Sequence, residues 1–194
     1  MKNKTCYFCG KPASNKKHVP PKTLFPSIKY NDKYLNNNLI TVPSCDEHNS
    51  GKSGDDEYFC NVMKTSLNSN KVPEITMIYP LQRSISYNKN ICSELFKDEM
   101  PIIIWDGKIY HESISYNVDL LRFNNVLKHI TMALYFYEYK CICPYEYFGS
   151  DFISVSNNLD TFTMNSLKYL EYKGENKEIF KYNVIEINDA HFFY

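Results

Sequence analysis

The chain has 194 residues, with 22 Lys and Arg against 22 Asp and Glu, and 43% of its residues are apolar. This size and apolar fraction suit one globular domain, or a small module joined to a modest one, and the few Gly and Pro exclude a collagen-like or low-complexity chain. No apolar run is long enough to span a bilayer and the first residues lack the apolar stretch of a secretory signal, so we expect a cytoplasmic protein with no membrane partner.

The N-terminal segment concentrates positive charge although the net charge is zero. Every charged residue before Asp32 is a lysine: Lys2, Lys4, Lys11, Lys16, Lys17, Lys22 and Lys29. Lysines of this kind hold phosphate backbones, so the segment is where we expect nucleic acid to bind. The lysines expected to contact it are Lys16, Lys17, Lys22 and the later Lys52. The alternative is a lysine-rich surface that is only solvated.

One pair of metal-ligand residues lies within this segment and a second pair follows it. Cys6 and Cys9 are separated by two residues, and Cys45 and His48 repeat the spacing. Such a pair lets one tight turn present both ligand atoms to one ion, and three thiols with an imidazole favour a closed, structural Zn²⁺ site. Alternatively, one pair only packs as small apolar groups, as we expect of Cys60, Cys92, Cys141 and Cys143. No role is assigned to His111, His129 or His191.

A first helix is predicted from Asp55 to Leu67. Ser53 resembles an N-cap with an acidic residue three positions later, and the apolar residues that follow recur at helical spacing. Asp55, Asp56 and Glu57 are interpreted as acids that stabilise the helix start through its dipole. The alternative is that these acids contribute to a metal site.

The rest of the chain predicts an α+β region. After a connector at Asn68 through Pro73, residues from Asn117 to Tyr139 place apolar side chains three or four apart and predict a long central helix. Strand-like stretches are Glu74–Tyr79, Pro101–Tyr110 with a turn at Asp106-Gly107, Phe152–Val155, Thr161–Thr163 and Phe180–Ile187, and a further helix is predicted around Asn165–Tyr172.

The first third of the chain resembles the HNH endonuclease family over about residues 5–60. Between the two ligand pairs, His18 is followed by one residue and Pro20, and Leu39–Val42 forms an apolar strand; after them come Asn49 and Lys52. The resemblance implies an α+β fold with an N-terminal, zinc-stabilised ββα-metal finger in residues 1–67. Residues 68–194 would form the α+β region, which we expect to select the substrate, form a homodimer or contact a partner protein.

The resemblance also implies a reaction. His18 would be the general base that activates water, and Asn49 would bind a catalytic Mg²⁺ or Mn²⁺ through its amide oxygen. Pro20 and Pro21 restrict the backbone beyond His18 and so limit its ring. The expected activity is metal-dependent hydrolysis of nucleic acid, with DNA as the expected target, by analogy in a restriction or anti-phage setting.

One position departs from the family pattern. HNH proteins usually carry Asp or Glu directly before the histidine, and this sequence has Lys17, whose ammonium cannot bind a cation. The oxygen ligands that could replace this carboxylate are Asp46, Asp55, Asp56 and Glu57. The residue that fills the middle position of the HNH pattern is open among Asn36, Asn37 and Asn38. An alternative function is therefore a non-catalytic zinc module that binds nucleic acid or a protein. A third is a structural subunit without nucleic-acid contact.

Overall fold

The computed structural model describes residues 4–25, 38–65, 97–105, 108–147, 149, 171–174, 179–187 and 190–193. The elements in chain order are β1 (Asn15–Val19), β2 (Ile40–Ser44), α1 (Ser53–Thr65), β3 (Met100–Trp105), β4 (Tyr110–Ser115), α2 (Leu120–Tyr139), β5 (Val184–Ile187) and β6 (Ala190–Phe193). This mixture of helices and small sheets confirms the α+β class. The predicted strands Glu74–Tyr79, Phe152–Val155 and Thr161–Thr163, with most of the helix predicted at Asn165–Tyr172, lie outside the described residues.

The strands pair as antiparallel hairpins. In the first hairpin, β1 and β2 place His18 opposite Thr41. In the second, Trp105 lies opposite Tyr110, so the return strand begins at the residue where the sequence predicted it to end. Apolar residues next to the turn led to the prediction of a return strand that ends at Tyr110. The strand instead continues through the mostly polar stretch from His111 to Ser115.

Both long predicted helices are present with shifted starts. Helix α1 begins at Ser53 and carries Asp55 and Asp56 in its first turn, where acidic side chains favour the helix dipole. Helix α2 begins after Asp119, whose side chain accepts the backbone N–H of Arg122 at 3.1 Å as an N-cap. Within the described part of the chain, no helix combines the length and the apolar character needed to cross a membrane.

Helix α2 packs its apolar face against the hairpin and α1. Phe123 lies 4.7 Å from Phe59 of α1, measured between ring centroids. The buried cluster joins α2 to the N-terminal turn, the hairpin and α1: Cys6, Tyr7, Val19, Val42, Phe59, Val62, Phe123, Val126, Ile130, Ala133 and Leu134. The inner face of the hairpin is therefore covered, whereas on its other face Lys16 is exposed and His18 and Thr41 are partly buried.

Polar contacts also hold the starts of the two helices together. Arg122 Nε donates to Asp55 Oδ1 at 2.6 Å, and Arg122 Nη2 donates to the Gly54 carbonyl at 2.9 Å. The guanidinium lies 4.5 Å from the centre of the Tyr58 ring, whose hydroxyl accepts the Asp119 N–H at 2.9 Å. Asp55 is thus engaged in joining α1 to α2.

Candidate functional site

Four ligand atoms from the two predicted pairs meet at one point. The Sγ atoms of Cys6, Cys9 and Cys45 and a ring nitrogen of His48 all lie within 4.8 Å of one another. Cys9 Sγ is 3.8 Å from Cys45 Sγ, and Cys45 Sγ is 3.2 Å from His48 Nδ1. Two sulfurs bound at ~2.3 Å to one tetrahedral ion lie ~3.8 Å apart, so the arrangement can hold a metal ion. The donor set is compatible with structural zinc.

Each pair lies on a tight turn closed by backbone hydrogen bonds. The Gly10 N–H donates to the Cys6 carbonyl at 3.1 Å, and Gly10 has a φ of +74°, a conformation that glycine adopts without strain. In the second turn the Gly51 N–H donates to the Asp46 carbonyl at 3.0 Å. These turns explain why two intervening residues bring both ligands of a pair to the same side.

The pKa shifts of Cys6 and His48 favour metal binding, whereas burial raises the pKa of the Cys9 thiol. Burial alone would raise the pKa of the Cys6 thiol, but backbone N–H groups of Cys9, Cys45 and Phe8 lower it below its ordinary value. Burial lowers the pKa of His48, so its imidazole is neutral at pH 7. Thiolate and neutral imidazole are the forms that bind metals.

A cluster of aromatic rings from the first ligand turn and helix α2 packs against the ligands. Tyr7 donates its hydroxyl to His129 Nδ1 at 2.8 Å, and the Phe8 ring stacks on His129 at 4.2 Å and lies 4.6 Å from His48. Burial raises the pKa of Tyr7, whereas burial and nearby lysines lower that of His129 to about 3, so a neutral histidine accepts the bond. The sequence assigned His129 no role. Its partner is 122 residues away, and no local pattern indicates the contact.

His18 lies on the outer face of β1. Alternation along the strand buries Lys17 and Val19 on the inner face and leaves His18 half-buried on the other. Burial, together with the positive charge of Lys22, lowers the pKa of His18 below its ordinary value. The ring is therefore neutral at pH 7 and can accept a proton.

Asn49 lies against the strand that carries His18. It follows the second ligand pair directly, and its Nδ2 donates to the Lys16 carbonyl at 3.5 Å. This contact uses the nitrogen of the amide and leaves the oxygen as the atom that could bind a cation. The two predicted catalytic residues are thus on adjoining parts of the same module.

Lys17 must be removed from the predicted nucleic-acid contacts. Its side chain is only 3% exposed, and its Nζ lies 2.5 Å from Asp56 Oδ2. Burial raises the pKa of Asp56, and Lys17 opposes that rise. The reason is strand alternation, which turns Lys17 toward α1. Lys16 and Lys22 are exposed, and Lys52 is half-buried just before α1.

The carboxylates considered as replacement ligands are largely engaged elsewhere. Asp56 pairs with Lys17 and Asp55 with Arg122, while Asp46 Oδ1 accepts hydrogen bonds from Ser14 and Asn15. Among the described residues, the Cys3His cluster is the group of three or more His, Cys, Asp or Glu that could hold an ion. The described carboxylates therefore do not form a second such group around His18.

The middle family position is not resolved by the fold, because Asn36 and Asn37 lie outside the described residues. Asn38 has a φ of +54° just before β2. Comparisons of the chain with protein-family models, with curated proteins and with solved structures give no match.

Proposed function

We propose that this protein is an HNH-type nuclease that hydrolyses phosphodiester bonds in nucleic acid, with DNA as the expected substrate. The observation that carries the proposal is the Cys3His cluster, which joins the turn before β1 to the turn before α1. In the same β-β-α stretch, His18 faces outward in its neutral form and Asn49 lies against its strand. The order and placement agree with the roles that the family resemblance implies.

Zinc has a structural part in this proposal. Four protein ligands fill a tetrahedral site and leave no position for a substrate, so the ion would hold the hairpin and the start of α1 together. Small modules of this kind derive folding free energy from the metal directly.

His18 supplies the general base. Its ring takes a proton from water while the water oxygen bonds to phosphorus, the bond from phosphorus to the 3′ oxygen breaks, and that oxygen takes a proton from solvent. Water is a weak nucleophile at neutral pH, so a neutral imidazole held close to it accelerates the attack. Lowering of the His18 pKa keeps that form populated at pH 7.

A divalent cation would neutralise the charge that develops on the phosphate. The residues fit such an ion in part: Asn49 offers an amide oxygen, whereas Asp55 and Asp56 are held in ion pairs. Mg²⁺ commonly keeps several waters and uses substrate phosphate oxygens as ligands. We therefore expect the ion to be held weakly without substrate.

A non-catalytic nucleic-acid-binding module is the second candidate. The buried pair of Lys17 with Asp56 favours it, because the family's metal-binding carboxylate is replaced by a cation that already has a partner. Salt-dependent binding of nucleic acid by the parent, without cleavage under any divalent metal tried, would identify the binding module.

The primary test is cleavage of supercoiled plasmid with Mg²⁺ or Mn²⁺. The parent should nick the plasmid, and His18→Ala should lower the rate at least about 100-fold, the effect typical of removing a general base. His191→Ala is the matched control and should leave cleavage intact, since the His191 ring packs against Tyr135, Tyr139 and Tyr145 rather than against the residues of the proposed site. Equal cleavage by His18→Ala and the parent would refute the assignment.

A further inference from the structure

A groove runs along the first hairpin to the end of α2. Two adjoining cavities of about 350 and 600 Å³ form it, and both are lined by Lys4 and by Thr41 through Pro43. Lys16 lines one cavity, and Tyr137 and Lys140 line the other. The groove therefore brings together side chains from the N-terminal segment, β1, β2 and α2.

Its charge is positive. Lys4, Lys16 and Lys140 are exposed, and among the described residues no Asp or Glu lines either cavity. Two carboxylates lie beside the groove. Glu138 on α2 is bonded to Lys173 at 2.6 Å and to the Tyr182 hydroxyl at 2.7 Å, and Asp46 accepts hydrogen bonds from Ser14 and Asn15, which line one cavity. A surface with several cations and no lining anion attracts a polyanion.

Lys140 is held in place by the end of its helix. It adopts a left-handed φ of 58°, and its backbone N–H donates to the Phe136 carbonyl. Its Nζ lies 4.5 Å from the centre of the Tyr137 ring and contacts the Tyr137 carbonyl. Restricting a lysine in this way reduces the side-chain entropy lost when it binds an anion.

The groove runs beside His18. Thr41 lines both cavities and is the cross-strand partner of His18, and Lys16 is on the same face of β1 two residues earlier. Residues two apart on a strand are ~7 Å apart, so His18 lies within about 7 Å of Lys16 along β1, although it lines neither cavity.

We propose that this groove binds the phosphate backbone of a nucleic-acid strand through Lys4, Lys16 and Lys140, and so delivers the strand to His18. The assignment rests on the proposed function, and it adds Lys4 and Lys140 as binding residues. These lysines stand far apart in the sequence, and only the fold brings them to one groove.

The test compares two double variants in the His18→Ala background, which removes cutting during the measurement. Lys4→Gln with Lys140→Gln removes two groove charges, and Lys97→Gln with Lys181→Gln removes two exposed charges elsewhere. The probes are a fluorescein-labelled oligonucleotide as a single strand and as a duplex, measured by anisotropy from about 50 to 200 mM NaCl, the range in which phosphate contacts show strong salt dependence.

The groove variant should bind either probe about 10-fold more weakly than its parent. Its slope of log affinity against log salt should be smaller by about 1.4 on the single strand, or about 0.7 per lost contact. The control variant should match the parent. Equal weakening of both variants, or absence of binding by the parent, would overturn the proposal.

Plasmid cleavage by the otherwise unmodified chain separates this proposal from the nuclease assignment. If binding depends on the groove lysines but no cleavage occurs, the groove proposal is supported and the nuclease assignment is refuted. If the chain with Lys4→Gln and Lys140→Gln cleaves at the parent's rate and its binding is unchanged, the groove proposal is refuted and the nuclease assignment stands.

Discussion

The Lys17 ammonium and the Asp56 carboxylate form an ion pair between β1 and α1, at 2.5 Å and almost out of solvent. The pair occupies the position directly before His18, where the family resemblance places a metal-binding carboxylate. The Asp56 carboxylate also neutralises the Lys17 ammonium, which reduces its repulsion of a metal ion. Lys17 therefore connects the hairpin to α1 rather than reaching toward a substrate.

Breaking this pair should destabilise the fold. Lys17→Met leaves the Asp56 carboxylate without its partner and should lower the free energy of unfolding by about 3 kcal/mol, since an uncompensated buried charge is costly. Lys17→Met combined with Asp56→Leu should lie within about 1 kcal/mol of the parent, because neither charge is then left alone. Urea unfolding of the two single variants and the double variant measures this. Additive losses in the double variant would contradict a coupled pair.

Loss of a cluster thiol should remove bound zinc. Cys45→Ser should lower the zinc content from about one ion per chain to well below that, and should unfold the N-terminal module, because the metal contributes folding free energy. Metal analysis and circular dichroism measure the two effects. Cys141→Ser is the control, since Cys141 is exposed and outside the cluster. Full zinc content in Cys45→Ser would disprove the ligand assignment.

The Tyr7 hydroxyl should contribute to stability through His129. Tyr7→Phe leaves the buried His129 Nδ1 without its donor and should lower the free energy of unfolding by about 1–2 kcal/mol, the range for an unsatisfied buried polar group. His129→Phe should reduce the effect of Tyr7→Phe when both are combined. Unfolding measured with zinc in excess isolates this bond from metal loss. An unchanged effect of Tyr7→Phe in the His129→Phe background would show that the two groups are independent.

Cleavage should depend on pH through His18. Its pKa lies below the ordinary value for histidine because burial and the charge of Lys22 disfavour the protonated ring. The rate should therefore be constant near pH 7 and should fall in the acid range as the pH passes through this lowered pKa and the base becomes protonated. Lys22→Gln removes the repelling charge, so the midpoint of this acid limb should move to higher pH. Rates measured from pH 5 to 8 (about the range in which histidine titrates) test this, and a midpoint that moves lower in Lys22→Gln would contradict it.

Local patterns were sufficient for part of the fold. The two-residue spacing of Cys6 and Cys9, repeated by Cys45 and His48, predicted the cluster because ligand geometry within a turn depends on adjacent residues. The helical spacing after Asn117 predicted α2 for the same reason, with its start moved to Leu120 by the Asp119 cap.

Contacts between distant residues escaped prediction. Strand alternation could have placed Lys17 with Val19 on one face, but only the packing of α1 shows that this face is the buried one. The bond of Tyr7 to His129 has no sequence signal, because a lone histidine on an apolar helix face has many possible partners. The nearness of Lys4 to Lys140 likewise depends on where α2 ends.

Helix α2 contacts the N-terminal residues at two points: its Arg122 bonds to the start of α1, and its His129 bonds to the first ligand turn. The two residues are seven positions apart, which is ~10 Å along a helix axis. A rigid helix with two fixed attachments acts as a spacer, so the helical rise helps to set the distance between the first ligand turn and α1, together with any ion that the Cys3His cluster holds. A residue inserted between positions 122 and 129 would rotate one attachment away by ~100°, and would disturb the module without changing any residue within it.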